Sequence, residues 1–167
     1  MLADASGVMP QSLMFKADQV FFEHGLDSVD LVVHGRHSQE QQRNAPLRRR
    51  LILTQRVADI GPHPTNPRAL LWNPLGASFE DAIAAVGVPI ARIAVIGGTD
   101  VFALFLDRFD VFHLTRAPAP QLPGGRPVFP EVPRRRPEDV LAQHGLHPEP
   151  LRMLDKEHGV SLVSWRR

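Results

Sequence analysis

Three short runs of consecutive apolar residues constrain this chain more than any other feature. They lie at residues 31–33 (LVV), 51–54 (LILT) and 93–96 (IAVI), and each is rich in leucine or β-branched side chains. A strand that faces solvent on one side alternates between apolar and polar residues, whereas a strand covered on both faces does not. The runs therefore predict three buried strands of a parallel sheet.

Helical patterns lie between and after these runs. Residues 18–24 (DQVFFEH) are amphipathic, and residues 78–86 (SFEDAIAAV) begin with Ser78 and place Asp81 three positions later, as in a capping box. A third pattern, at residues 99–106 (TDVFALFL), follows the third run directly. This alternation of strands and helices predicts an α/β fold.

The C-terminal part of the chain has a different character. The proline-dense stretch after Ala117 predicts an irregular excursion, and residues 130–150 are expected to be irregular except for a helix at residues 137–144 (PEDVLAQH). Period-two patterns at residues 109–114 (FDVFHL) and 160–165 (VSLVSW) predict two strands, of which the last is antiparallel. A length of 167 residues suits one domain.

Composition excludes several classes of function. Nineteen basic against eighteen acidic side chains give a net charge of +1, without the basic excess typical of nucleic-acid or membrane-surface proteins. The basic runs at residues 48–50 and 134–136 therefore indicate solvated faces. Because the chain has no cysteine, it has no disulfide, thiolate nucleophile or cysteine-ligated metal. Its histidines lack carboxylates at the spacing of a metal site, so no metal is expected.

The sequence gives no indication of export or membrane insertion. Its first ten residues lack the basic and apolar regions of a secretory signal. The longest apolar stretch, residues 82–98, is interrupted by Pro89 and Arg92, whereas a bilayer span needs roughly 20 apolar residues in a row. The sequence therefore predicts a cytoplasmic protein without a membrane or nucleic-acid partner.

The turn after the first apolar run is a candidate anion site. There the predicted strand leads into His34 and Gly35, followed by polar residues that could begin a helix. Backbone N–H groups at a helix start bind anions, and Arg36 would add a fork of donors for a phosphate. The alternative is that Gly35 permits a tight turn and that Arg36 lies in solvent.

A second glycine turn follows the third apolar run, where Gly97 and Gly98 precede Thr99. Paired glycines let the backbone approach a ligand closely. The carboxyl ends of parallel strands share one sheet edge, where such folds bind nucleotides, so the two turns together suit the two phosphates of a dinucleotide. Neither turn has the G-x-G-x-x-G spacing of the Rossmann fingerprint, and a Gly-Gly pair also occurs in turns that bind nothing.

Asp18 is a candidate functional carboxylate. It lies in the first turn of the predicted helix at residues 18–24, just before Phe21 and Phe22. An acid in this position is typical of a residue that caps a helix or complements its dipole. The alternative is a carboxylate in an apolar pocket that holds a protonated heterocycle or delivers a proton to it.

From residue 17 to residue 130 the chain resembles dihydrofolate reductase. The resemblance rests on LVVHGRHSQE, then PLRRRLILTQR, then the segment that runs from SFEDAIAAV through VIGGTD and HLTR to the closing VFP. It implies a three-layer α/β fold over residues 1–167, in which a mostly parallel mixed sheet has an antiparallel C-terminal strand. It also implies NADPH as the cofactor and a small-molecule substrate with a pterin-like ring, whose C=N bond receives a hydride.

The resemblance implies a set of cofactor-binding residues at the strand ends. In the family, the first turn binds the phosphates of NADPH, and the end of the next strand contacts the 2′-phosphate of the adenosine. The second glycine turn contains a cis peptide beside the nicotinamide and the pyrophosphate. The matching residues are Gly35, Arg36, His37 and Ser38, then Thr54, Gln55 and Arg56, then Ile96, Gly97, Gly98 and Thr99.

Four further residues match the substrate side of the family. Asp18 matches the active-site carboxylate, and Thr115 matches the threonine that supports it. Phe22 matches an aromatic residue that packs on the pterin. Arg48 matches the arginine that grips the glutamate tail of the substrate.

The sequence departs from the family near these substrate residues. Gln11 stands where the family has tryptophan, and one extra residue separates Asp18 from His34. Reductases of riboflavin synthesis share the fold and the cofactor turns without the folate-specific residues. Three hypotheses therefore stay open: a pterin reductase, a ribosylamino-pyrimidine reductase, and a non-catalytic nucleotide-binding protein with a truncated N-terminus.

The family also begins with an apolar strand, which has no counterpart before the first loop of this sequence. Without that strand, backbone groups of its neighbours would lie open, and each buried unpaired group costs about 1–3 kcal/mol. We therefore expect a homodimer or a shifted sheet, together with weak or absent activity.

Overall fold

The structure, a computed structural model, describes residues 3–5, 8–38, 41–118, 122 and 124–167. Its chain divides into two compact units. The central unit is Glu23–Val101, and the split unit joins Met1–Phe22 to Phe102–Arg167. The single domain over residues 1–167 stays a prediction.

Four helices and nine strands make up the regular structure of the described residues. In chain order they are α1 (Lys16–Asp27), β1 (Leu31–Gly35), β2 (Arg50–Leu53), β3 (Ile60–Pro62), β4 (Ala69–Trp72), α2 (Phe79–Ala85), β5 (Ile93–Val95), α3 (Thr99–Leu104), β6 (Val111–Arg116), α4 (Pro137–Gln143), β7 (His147–Pro148), β8 (Arg152–Asp155) and β9 (Val160–Arg166). Short 3-10 helices lie at Gln11–Leu13, Ala45–Leu47 and Leu106–Arg108.

The central unit is built on a five-stranded sheet with the order β3-β4-β2-β1-β5. β1 pairs in parallel with β2 and with β5, β2 pairs in parallel with β4, and β3 is antiparallel to β4. The three predicted parallel strands are confirmed as β1, β2 and β5. The sequence does not predict β3 and β4 of this sheet; β3 ends in Pro62, which an edge strand tolerates because its outer side needs no N–H donor. It does not predict β7 and β8 either, and β7 shows that the expectation of irregular chain outside the helix in residues 130–150 is wrong at His147–Pro148.

The burial of β5 differs from the prediction. β1 is buried from Leu31 to His34, as expected for a strand between two neighbours. β5 instead lies at the edge of the sheet, and Ile93 is 37% exposed. Since an edge strand has one neighbour, a continuous apolar run there is only partly covered. The prediction of three strands buried on both faces is therefore wrong for β5.

Helix α2 begins with the predicted capping box. The Ser78 hydroxyl accepts a hydrogen bond from the Asp81 N–H (3.1 Å), and the Asp81 carboxylate accepts one from the Ser78 N–H (3.3 Å). Trp72, the last residue of β4, donates its indole N–H to the Ala77 carbonyl (2.9 Å) and packs its ring against Phe79. These contacts fix the start of α2 beside the end of β4.

The split unit contains an antiparallel sheet. β9 pairs with β6 on one side and with β7 and β8 on the other. The strands predicted at residues 109–114 and 160–165 are confirmed as β6 and β9, and the helix predicted at residues 137–144 is confirmed as α4. The core includes Phe129, which is fully buried and contacts the rings of Phe102 and Phe112.

The described residues before α1 form one 3-10 helix and an isolated bridge between Ala3 and Arg126, and none of them lies in a strand. In the described chain, the first sheet holds the parallel strands β1, β2, β4 and β5 together with the antiparallel β3, and β6 to β9 form a second, antiparallel sheet. β5 lies at an edge of the first sheet and β6 at an edge of the second. The homodimer stays a prediction.

None of the helices in the described ranges has the length and apolar character needed to cross a membrane.

Candidate functional site

The carboxyl ends of β1, β2 and β5 lie side by side at one end of the central sheet. This row of strand ends is the sheet edge of the candidate site, as distinct from the edge strands β3 and β5. The three strands run in parallel, with Gly35 opposite Leu53 and Val33 opposite Val95. The chain segments that leave these strand ends are residues 36–38, 54–56 and 96–99. The structure thus brings together all three segments that contain the predicted cofactor-binding residues.

Backbone hydrogen bonds fix the turn after β1 to both of its neighbours. The Gly35 N–H donates to the Gly97 carbonyl (2.9 Å), and the Arg36 N–H donates to the Leu53 carbonyl (3.2 Å). Within the turn, the Ser38 N–H donates to the Gly35 carbonyl (2.9 Å). Backbone hydrogen bonds to the segments on both sides therefore help to fix the position of this turn.

The two glycines after β5 give this edge an open backbone surface. The peptide bond between Gly97 and Gly98 is cis, as the resemblance implied, and Gly97 has a φ of 98°. A Cβ atom on Gly98 would lie 3.5 Å from the Ser38 hydroxyl oxygen. Glycine therefore leaves a space beside Ser38 that a side chain would fill.

Gly35 serves packing as well as the turn. A Cβ atom there would lie 3.3 Å from Cγ2 of Val101 on α3, a tight contact. The absence of a side chain lets the first residues of α3 approach the end of β1.

Two exposed guanidinium groups follow the ends of β1 and β2. Arg36 is exposed, and its Nε donates to Nε2 of His37 (2.8 Å). Arg56 is also exposed, and its backbone N–H donates to the hydroxyl of the buried Thr54 (3.2 Å). Gln55, the residue before Arg56, is also exposed, so polar side chains that include two guanidinium groups follow these strand ends.

The described residues that follow β1 do not form the expected helix. The described residues between Gly35 and Ala45 form turns and irregular chain, followed by the 3-10 helix Ala45–Leu47. The sequence HSQEQQRN contains no apolar side chain, so a helix here would have no face to bury. The prediction that a helix begins at this turn is therefore wrong for the described residues, whereas anion binding by the turn stays a prediction.

The basic run at residues 48–50 does not form a solvated face. Arg49 is exposed, but Arg48 and Arg50 are each only 8% exposed. Arg48 follows the 3-10 helix Ala45–Leu47, and Arg50 is the first residue of β2, so the two buried guanidinium groups belong to different elements. The prediction of a solvated run is wrong for two of its three members.

Arg48 is held by an internal ion pair. Its guanidinium contacts the carboxylate of Asp27 at the end of α1, and the Asn44 amide donates to both oxygens of the same carboxylate (3.1 and 3.2 Å). Hydrogen bonds from Arg48 and Asn44 lower the pKa of the Asp27 carboxyl below its ordinary value. The predicted substrate-binding arginine is thus engaged within the protein.

The predicted substrate residues of the split unit lie on α1 and β6. The ring of Phe21 on α1 packs edge-to-face on the imidazole of His113 in β6, with 5.1 Å between ring centroids. Because side chains alternate along a strand, Thr115 shares the face of β6 that bears His113. Asp18 lies about one helical turn before Phe21, and Phe22 is the residue after Phe21. The structure therefore brings the helix that contains Asp18 onto the face of β6 that contains Thr115.

His34 and Arg50 form a buried polar pair that the sequence analysis did not find. The sequence pattern assigns His34 to the turn, but it lies within β1 and is 1% exposed. A histidine that continues an apolar strand is the signal that could have revealed it. Among the described residues, no group of three or more acidic or histidine side chains is arranged to hold a metal ion.

No protein-family model matches the chain, and no curated protein matches its sequence. Solved structures match in fold. Three of them are a diaminohydroxyphosphoribosylaminopyrimidine deaminase/5-amino-6-(5-phosphoribosylamino)uracil reductase from Thermotoga maritima, dihydrofolate reductase from Enterococcus faecalis complexed with NADP(H) and RAB-propyl, and a protein from Shewanella sp. PV-4 described as a riboflavin biosynthesis protein.

The three likenesses extend over nearly the whole chain. The Thermotoga protein has a TM-score of 0.66 and 18% identity, and the match covers 99% of this chain and 52% of that one. The Enterococcus enzyme has a TM-score of 0.65 and 17% identity, over 100% and 89%. The Shewanella protein has a TM-score of 0.65 and 18% identity, over 99% and 90%. The chain thus spans about half the length of the Thermotoga protein. These likenesses confirm an α/β fold of the dihydrofolate reductase type.

The Asp27–Arg48 ion pair predicts an acid-sensitive contribution to stability. Because the folded-state pKa of Asp27 lies below the ordinary value of 3.8, the pair stabilises the protein above pH 3.8. That contribution is lost as the pH falls through the lowered pKa. In Asp27→Asn the free energy of unfolding should be lower than in the wild type at pH 7, and the difference should shrink below pH 3.8.

Chemical denaturation at a series of pH values measures this difference. Glu23→Gln, which removes another carboxylate of α1, is the control for the loss of a negative charge on this helix. A difference between the wild type and Asp27→Asn that stays constant down to acid pH would contradict the assignment.

Proposed function

From the dihydrofolate reductase-like fold and the geometry of the sheet edge, we propose that this protein is an NADPH-dependent reductase. It transfers a hydride to a C=N bond of a pterin-like substrate. The observation that carries the proposal is the convergence of three polar turns at the carboxyl ends of β1, β2 and β5, with two exposed arginines and the open backbone at Gly98.

The residues at this edge fit a phosphate-bearing dinucleotide. The space beside Gly98 is bordered by the Ser38 hydroxyl, a donor suited to a phosphate oxygen. Arg36 adds a planar fork of donors that matches a phosphate. Gly35, His37, Ile96, Gly97 and Thr99 complete the proposed phosphate and nicotinamide contacts.

The end of β2 is the proposed site for the additional phosphate that distinguishes NADPH from NADH. Arg56 supplies the charge, and the hydroxyl of Thr54 shapes the turn through its hydrogen bond with the Arg56 N–H. Gln55 is exposed in the same turn and supplies a neutral donor. Two cations near adjacent strand ends suit a dianionic group.

The substrate side of the proposal rests on Asp18. When bound, NADPH supplies the hydride. Asp18 orients the substrate ring by accepting hydrogen bonds from its N–H groups. Its negative charge also favours transfer of the proton that must accompany the hydride when the C=N bond is reduced. Thr115 supports this carboxylate, and Phe22 packs on the ring face.

A second candidate is a reductase that acts on a ribosylamino-pyrimidine. The engagement of Arg48 by Asp27 favours it, because that guanidinium is already bound by a carboxylate of the protein and a glutamate-tailed substrate would have to displace it. Two of the similar structures are described by riboflavin-pathway names. Oxidation of NADPH in the presence of dihydrofolate or of 5-amino-6-ribosylaminouracil phosphate separates the two candidates. NADPH binding without turnover of either would favour a non-catalytic nucleotide-binding protein.

Removal of both exposed arginines should weaken NADPH binding selectively. In the double variant with Arg36→Ala and Arg56→Ala, the Kd for NADPH should rise at least about tenfold more than the Kd for NADH, since hydrogen bonds to charged groups contribute about 1.5–3 kcal/mol. Titration followed by cofactor fluorescence measures both. Arg68→Ala, an exposed arginine before β4, should change neither value. Equal weakening of the two cofactors would refute the assignment.

A methyl group on Gly98 should block the cofactor and leave the protein folded. In Gly98→Ala the new Cβ meets the Ser38 hydroxyl oxygen at an ordinary contact distance of 3.5 Å, so the protein itself has room for it. The Kd for NADPH should rise by about tenfold or more, because the methyl occupies the proposed phosphate space. The control is Gly25→Ala, where a Cβ has no neighbour within 4 Å. Unchanged NADPH affinity in Gly98→Ala would show that the glycine pair is only a turn.

Replacement of Asp18 should reduce turnover without affecting the cofactor. Asp18→Asn keeps the shape of the side chain and removes its charge, so kcat should fall by about 10²–10⁴-fold while the Kd for NADPH stays the same. Steady-state kinetics across pH with the substrate that the wild type reduces measures this. Glu23→Gln, on the same helix, should retain activity. Wild-type turnover of Asp18→Asn at every pH would identify Asp18 as a capping residue.

A further inference from the structure

His34 and Arg50 form a buried pair directly behind the candidate cofactor turn. In the parallel register, Val32 lies opposite Arg50 and Ile52 lies opposite His34, so the two polar side chains point to the same face of the sheet. They are 1% and 8% exposed. Burial of two such groups is costly unless their hydrogen bonds are made, and the contacts that they make lead towards the turn.

The contacts of Arg50 decide which nitrogen of His34 carries the proton. The guanidinium donates from Nη2 to the Ala45 carbonyl (2.9 Å), and its Nη1 lies 3.3 Å from Nε2 of His34. Because a guanidinium only donates hydrogen bonds, Nε2 must be the acceptor. The proton of the neutral ring is then on Nδ1, which donates to the Gly35 carbonyl (2.8 Å).

The Gly35 peptide links this pair to the rest of the candidate site. Its carbonyl accepts from both the His34 ring and the Ser38 N–H, and the Gly35 N–H donates to the Gly97 carbonyl (2.9 Å). Ser38 in turn borders the space beside Gly98. A continuous chain of hydrogen bonds thus runs from Arg50 through His34 to the residues that face that space.

We propose that His34 and Arg50 are positioning residues for the cofactor. Arg50 fixes the Nδ1–H tautomer of His34, and His34 holds the Gly35 carbonyl in the orientation that places Ser38 and the Gly97–Gly98 turn for the phosphates. Neither side chain touches the ligand. This role rests on the proposed NADPH binding.

Two variants of His34 separate positioning from packing. In His34→Asn the amide nitrogen takes the place of Nδ1 and still donates to the Gly35 carbonyl, whereas His34→Leu fills the volume and donates nothing. The Kd for NADPH should rise by about tenfold in His34→Leu and by no more than about threefold in His34→Asn. The free energy of unfolding should be higher in His34→Leu than in His34→Asn, because a buried leucine is tolerated better than a buried amide.

This inversion between affinity and stability is the result that a merely structural role would not give. The control is Ile52→Val, a small loss of packing on the same face of the sheet, which should leave the Kd unchanged. If His34→Leu does not fold, His34→Gln replaces it. The glutamine amide reaches the position of Nε2 rather than that of Nδ1. The Kd for NADPH should therefore stay near the wild-type value in His34→Asn and rise in His34→Gln. Equal affinities in wild type, Asn and Leu (or Gln) variants would overturn the proposal.

The hydrogen-bond chain from Arg50 through His34 to the Gly35 carbonyl is a relay that a ligand-free measurement tests independently of the proposed function. The ¹⁵N NMR spectrum of the histidine ring should show His34 with a protonated Nδ1 and an unprotonated Nε2, and Arg50→Met should add the other tautomer. A protonated Nε2 in the wild type would overturn the relay. Failure of the wild type to bind NADPH would instead overturn the proposed function, while the tautomer would still decide the relay.

Discussion

The parallel pairing of β1 with β2 on one side and with β5 on the other is the constraint on which the candidate site depends. Parallel neighbours end at the same edge of a sheet, so three chain segments that are far apart in sequence leave the sheet side by side. If β5 were antiparallel, Gly97 and Gly98 would lie at the opposite edge from Gly35. The hydrogen bond between the Gly35 N–H and the Gly97 carbonyl shows how closely the turns meet.

Burial gives the arginines of the central unit different roles. Arg36 and Arg56 are exposed beside the turns, where a guanidinium is available to a phosphate. Arg48 and Arg50 are buried, and each has partners within the protein: Asp27 for Arg48, and Ala45 with His34 for Arg50. In a chain with a net charge of +1, two guanidinium groups thus stay exposed beside the turns while two others bind partners inside the protein.

The division of the strands into two sheets bears on assembly. β5 and β6 are each at the edge of a sheet, and an edge strand has backbone N–H and C=O groups on one side that no neighbouring strand of that sheet pairs with. Ile93, in β5, exposes apolar surface at such an edge. These features are what a predicted homodimer would have to cover.

The sequence by itself determined the features that depend on neighbouring residues. The apolar runs gave β1 and β2, Ser78 and Asp81 gave the start of α2, and the glycines marked the turns, because capping, turn geometry and strand periodicity are local. Only the tertiary structure decided which strand lies at an edge, that β3 and β4 pair, that Arg48 and Arg50 turn inward, and which nitrogen of His34 is protonated. These features depend on contacts between residues distant in sequence, and burial and hydrogen-bond partners at such distances leave no periodic pattern in the chain.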